Sequence, residues 1–170
     1  LFIHLCKLIL GICNGFQVLV KAGILPGTSN GGGQTATLTF NESNRFECRW
    51  VWLVPNPDSP CVFTRGLTEV IYCPVAHGEG RAQFGDDVAD ARVALRYVDG
   101  AGQATEHYPE NPNGSPGGVT GLTNADGRVT IMMPHPERTL RGVNFSWAPA
   151  QWGDRSPWRR MFRNARRWLG

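Results

Sequence analysis

No apolar run in the 170 residues is long enough to cross a bilayer: Leu1-Phe2-Ile3-His4-Leu5-Cys6 is interrupted by Lys7, whereas a spanning helix needs about 20 apolar residues. The same opening has neither a basic leader nor a small-residue cleavage site, so it does not read as a secretory signal. There is no C-x-x-C pair, and the five cysteines (Cys6, Cys13, Cys48, Cys61, Cys73) form an odd set. That argues against a disulfide scaffold or a zinc site and for a reducing, cytoplasmic setting. The four histidines lack metal-ligand spacing, so no metal is expected. Net charge is low as well; +3 does not by itself argue for nucleic acid. Neither repeats nor a low-complexity tail occur. The first residue is Leu, inside an apolar stretch, so the sequence reads as a fragment lacking its upstream part.

What is present is an ordinary globular composition, 41% apolar, and enough length for one domain, 1–170, with a real core. Leu8 to Ile12 reads as a short, fully buried strand of the kind found inside parallel sheets. Asn14 to Ala22 suits a helix with Phe16, Val18, Leu19 and Ala22 on one face, stopped by Gly23 and Pro26. Residues 27–37 are rich in Gly, Ser, Thr and Asn and read as an exposed loop. Strands are expected over 46–54 and 69–75, the latter followed by a polar turn over 76–80. A hairpin should join 93–98 to 103–108 across Asp99-Gly100-Ala101-Gly102, and a second should join 119–123 to 128–133. Asn111 to Gly118 can only be a tight loop. The chain closes with a helix that Ser156 caps and Pro157 opens. Its apolar positions are Trp158, Met161, Phe162, Ala165 and Leu169, and five arginines fall mostly on the other side. That richness in arginine suits RNA or a phosphate ligand, but an apolar face opposite a charged one is the pattern of a docked surface helix, the favoured reading.

The chemistry gathers at Gly11-Ile12-Cys13-Asn14-Gly15-Phe16-Gln17, where a thiol stands between a strand and a helix. A helix N-terminus lowers a thiol's pKa through its unpaired N–H groups and dipole. The backbone N–H of Asn14 points where an oxyanion would form, and Gly11 and Gly15 permit a sharp turn and close substrate approach. A buried structural cysteine is the competing reading. Downstream, Met133-Pro134-His135-Pro136-Glu137-Arg138 supplies an imidazole and a carboxylate. The prolines push the residues before them out of the helical region, and an extended backbone turns residues two apart to one side. Glu137 can then fix the tautomer of His135, whose other nitrogen serves Cys13 as base and then as acid.

Those two segments resemble the class I (triad) glutamine amidotransferase domains, in the version attached to phosphoribosylformylglycinamidine (FGAM) synthases. Further support comes from Arg45-Phe46-Glu47-Cys48-Arg49-Trp50, Ala76-His77-Gly78-Glu79-Gly80-Arg81, residues 108–116 and residues 158–170, the last resembling the end of the long single-chain form. The resemblance implies an α/β, flavodoxin-like fold, here N-terminally truncated. It implies catalytic Cys13, His135 and Glu137, and substrate binding by Asn14, Gly15, Gln17 and His77. Glutamine is the implied substrate and an FGAM synthase synthetase domain or subunit the implied partner; neither nucleic acid nor membrane is expected. No cofactor is implied in this domain, and ATP and Mg would act in the synthetase part. A glycine loop upstream would donate the second oxyanion N–H, so the fragment alone is expected to have little or no glutaminase activity. A silent docking domain and a thiol hydrolase are the rival readings.

Overall fold

The computed structural model describes residues 7–25, 36–84 and 92–170. Cys6, Pro26, most of the expected 27–37 loop and the upstream apolar segment lie outside them. A six-stranded mixed sheet forms the centre, built from β1 (Ile9–Ile12), β3 (Glu47–Pro55), β4 (Ile71–His77), β6 (Val93–Tyr97), β7 (Val119–Thr123) and β8 (Val129–Met132). Its order is β1-β8-β7-β6-β3-β4. β1 runs parallel to β8, with Ile12 opposite Met132. The remaining neighbours are antiparallel. A separate two-stranded ribbon pairs β2 (Ala36–Thr39) with β5 (Arg81–Phe84); neither strand was foreseen, and β2 takes in the end of the expected loop.

Two apolar clusters sandwich the sheet. Successive strand residues point to opposite faces, and in β8 Val129 and Ile131 join one cluster while Met132 joins the other. Helix α1 (Asn14–Lys21) covers the first face with Phe16 and Val20, and α2 (Arg159–Trp168) covers the second with Met161, beside the fully buried Trp158. The arrangement is α/β, as expected.

Several details depart from the sequence reading. β1 is half-buried, not fully buried, because β8 is its single strand neighbour among the described residues. In α1 the buried position is Val20, whereas Val18 is 57% exposed and Ala22 lies on the surface. Gly23 does end the helix: at φ 68° its N–H reaches the Val20 carbonyl, and the Ile24 N–H reaches that of Leu19. This pair of bonds satisfies two orphan carbonyls in a Schellman motif. The Asp99–Gly102 turn forms, but beyond it only the Val98–Ala104 bridge follows, since β6 is committed to β3 and β7. The hairpin of β7 and β8 forms as expected. Ser156 accepts the Trp158 N–H at 3.1 Å, capping a tighter turn just ahead of α2, and Leu169 at the far end is 66% exposed.

Candidate active site

Because β1 and β8 run side by side in the same direction, the chain leaves both at one end of the sheet. Ligand sites in α/β folds form at such carboxyl ends. Cys13 is the first residue past β1, and its N–H donates to the Met132 carbonyl at 2.8 Å. Its carbonyl accepts from the Phe16 N–H at 2.9 Å, which starts α1 at once. So abrupt a reversal places Cys13 at φ 51°, ψ −107°, a conformation that side chains with a Cβ adopt at a cost of about 1–3 kcal/mol. The strain sits on the thiol residue itself, not on the flanking glycines as the sequence suggested. Gly11 has a different task. A Cβ there would lie 2.6 Å from Leu19 Cδ1 and 2.7 Å from the Gly15 carbonyl, so its bareness lets α1 descend onto β1. At Gly15 a Cβ would meet nothing within 4 Å among the described residues, leaving the N-terminal turn of the helix open to approach on their side.

His135 follows β8 by three residues and is held by its N–H to the Pro74 carbonyl at 2.9 Å, which ties it to β4. Its Nδ1 lies 2.7 Å from Glu137 Oε1. The structure reaches this pairing by a route other than the extended backbone expected: Pro136–Arg138 form a short 3-10 turn that swings the carboxylate back under the ring. With Nδ1–H donated to Glu137, Nε2 keeps its lone pair, and that atom is buried with no hydrogen-bond partner among the described residues. The Cys13 thiol feels both the Glu137 carboxylate and the Arg138 guanidinium, so all three side chains share one end of the sheet.

The electrostatics correct one expectation. Burial pushes the Cys13 thiol above its ordinary range; the Asn14 N–H and Arg138 pull it down without overcoming that, and Glu137 adds to the rise. The resting group is therefore a thiol. Its hydrogen points at the Ala76 carbonyl, with Sγ 3.6 Å from that oxygen.

Loop 78–80 closes over α1, where Gln17 Nε2 donates to the Glu79 carbonyl at 2.9 Å. His77, the last residue of β4, is 3% exposed, and burial lowers its pKa to about 4. Asn41, which sequence reasoning missed, organises this wall. Its Nδ2 donates to the carbonyls of Arg45 and His77, and its Oδ1 accepts from the Gly80 N–H at 3.0 Å. Gly80 also makes room for the ring, because a Cβ there would lie 2.5 Å from His77 Nδ1. The signal for Asn41 was slight: one polar residue after a strand, unremarkable until its burial is seen.

Across residues 2–169 the chain matches the family model described as the CobB/CobQ-like glutamine amidotransferase domain. It belongs to that family. Among solved structures it is similar to a chain of PurLQS from Thermotoga maritima, with a TM-score of 0.71 and 32% identity over 99% of this chain and 65% of that one. The chain thus spans just under two thirds of the length of that relative.

Proposed function

We propose that this chain performs the glutaminase half-reaction of an FGAM synthase, releasing ammonia for the ATP-dependent conversion of formylglycinamide ribonucleotide to its amidine in purine biosynthesis. The observation that carries the reading is the vacant, buried Nε2 of His135, oriented by Glu137 at the same sheet end as the strained Cys13. His135 Nε2 takes the thiol proton as Cys13 Sγ attacks the carboxamide carbon of glutamine, and the Asn14 N–H receives the developing oxyanion. Collapse breaks the C–N bond while the imidazolium returns its proton to the leaving nitrogen, so ammonia departs. Water, deprotonated by the same nitrogen, then hydrolyses the thioester to glutamate and free Cys13. A raised thiol pKa fits a nucleophile activated by its base only when substrate is in place. Gly15 offers open backbone beside the substrate, and Gln17 and His77 shape the wall around it. ATP and Mg act in the synthetase part, which is the partner.

The test measures ammonia and glutamate formed from glutamine by the chain together with its synthetase, in the parent and in Cys13→Ala. Activity lost in the variant supports the proposal; activity retained refutes it. A second reading, a docking domain without catalysis, would be supported by assembly with the synthetase while Cys13 ignores a glutamine-mimicking electrophile.

A further inference from the structure

At the opposite end of the sheet lies a cavity of about 430 Å³, walled by residues 66–69 on one side and by 155–167 on the other. Tyr72, near the start of β4, accepts the Trp158 Nε1–H at 3.0 Å, whereas the Cys13 thiol reaches Ala76 near the end of that strand. At about 3.3 Å per residue, these two ends of β4 stand roughly 13 Å apart. The cavity is distinct from the thiol site.

Five arginines line it: Arg155, Arg159, Arg160, Arg163 and Arg167. Among the described residues none of the five has a carboxylate partner. Glu69 is the one acid among the described residues of the lining, so five cations less one anion leave +4 on them, against +3 for the whole chain. The positive charge of the protein is thus concentrated at this spot.

Stability alone does not account for that placement. Arg159 and Arg160 occupy the first turn of α2, where no acid is present and the helix dipole disfavours cations. Arg159, Arg163 and Arg167 follow at four-residue spacing, and like charges so spaced repel by about 0.2–0.5 kcal/mol a pair. Local rules broken without compensation among the described residues point to a ligand that supplies it.

The wall is also built to hold these groups. Gly66 takes φ 74°, a conformation that side chains with a Cβ rarely adopt, and its bare backbone leaves room for the Arg160 guanidinium, since a Cβ there would lie 2.5 Å from Nη2. Asn164 Nδ2 donates to the carbonyls of Phe63 and Arg65 at 2.9 and 2.8 Å, fastening the loop to α2.

We propose that this cavity binds the phosphate chain of a small ligand, of the class of inorganic pyrophosphate or a nucleoside diphosphate. Guanidinium forks match phosphate oxygens in pairs, and the volume is that of a small-molecule site. Arg159, Arg163 and Arg167 run along one face of α2, the pattern that also serves nucleic acid, but Arg155 and Arg160 stand with them around a single cavity, which favours a small ligand.

Calorimetric titration of the whole chain with pyrophosphate, and separately with ADP, tests this. The expected result is saturable one-to-one binding that weakens with added salt. Arg160→Gln with Arg163→Gln should weaken it at least tenfold, and Arg141→Gln, outside the cavity, should leave it unchanged. Because the double variant removes like-charge repulsion, its melting temperature should equal or exceed the parent's, and Cys13 should alkylate at the parent rate. Absence of saturable binding to either probe would overturn the proposal. So would equal affinity in the double variant. An RNA oligomer or an acidic peptide that displaces pyrophosphate and binds more tightly through the same arginines would also overturn it.

Discussion

Asn41 Oδ1 lies 2.9 Å from His77 Nδ1 and determines which tautomer that histidine adopts. The Asn41 amide nitrogen already donates to two carbonyls and its oxygen already accepts the Gly80 N–H, so the oxygen is what faces the ring. His77 must then carry its proton on Nδ1, which leaves Nε2 as a bare acceptor, buried and without a partner among the described residues.

The depressed pKa of His77, about 4 against an ordinary 6.5, makes stability pH-dependent in a defined window. The unfolded chain binds a proton here between pH 6.5 and 4 and the folded chain does not, so stability falls on acidification through that range. A shift of this size corresponds to at most about 3 kcal/mol. Urea unfolding at pH 7, 5.5 and 4.5 checks it: the parent should lose more stability over the series than His77→Gln. Parallel losses would contradict the assignment.

The Cys13 thiol should titrate above the ordinary range, with opposite responses to its two charged neighbours. Site-resolved alkylation against pH, read by mass spectrometry so that the exposed Cys48 does not interfere, should show a higher apparent pKa in Arg138→Gln. In Glu137→Gln it should be lower, because a carboxylate that disfavours the thiolate is gone.

That same Glu137→Gln substitution should nevertheless reduce glutamine hydrolysis. Without the carboxylate 2.7 Å from Nδ1, His135 loses its fixed tautomer, and general acid–base contributions of this kind amount to about 10²–10⁴-fold. The combination of a more acidic thiol with a lower turnover separates orientation of the base from simple thiolate content. It is measured by coupling ammonia release to the alkylation profile.

Gly11→Ala should damage the elbow from beneath. The new methyl would overlap Leu19 and the Gly15 carbonyl; overpacking of this sort costs about 1–3 kcal/mol. Thermal unfolding should register the loss, and the alkylation rate of Cys13 should change as α1 is lifted. Gly15→Ala, with open space around it, should leave stability within about 1 kcal/mol of the parent, since alanine suits a helix at least as well as glycine.

Much of the fold was legible because local signals agreed with tertiary needs. The β7–β8 hairpin follows from its Asn-Ala-Asp-Gly turn, where Gly127 takes φ 76°, and α1 ends where Gly23 permits a left-handed residue. The strand after the Asp99–Gly102 turn was misjudged for a physical reason: turn chemistry specifies a reversal, not how far the ladder continues, and β6 found better partners in β3 and β7. Burial in α1 was misplaced because Val18 and Val20 are equally apolar. Only the position of the sheet decides which of them is covered.

For the site, sequence alone determined the cast: a thiol between strand and helix, an imidazole and an acid two residues apart, and the family to which they belong. Tertiary structure decided the arrangement. Parallel pairing of β1 with β8 brings segments more than a hundred residues apart to one sheet end, and a 3-10 turn, not an extended strand, joins His135 to Glu137. It also reversed the sign of the thiol's pKa shift. A helix N-terminus is visible in a sequence, but desolvation depends on what packs around the sulfur. Such packing, like the burial of Asn41 and the convergence of arginines beside Gly66, exists only once the chain has folded.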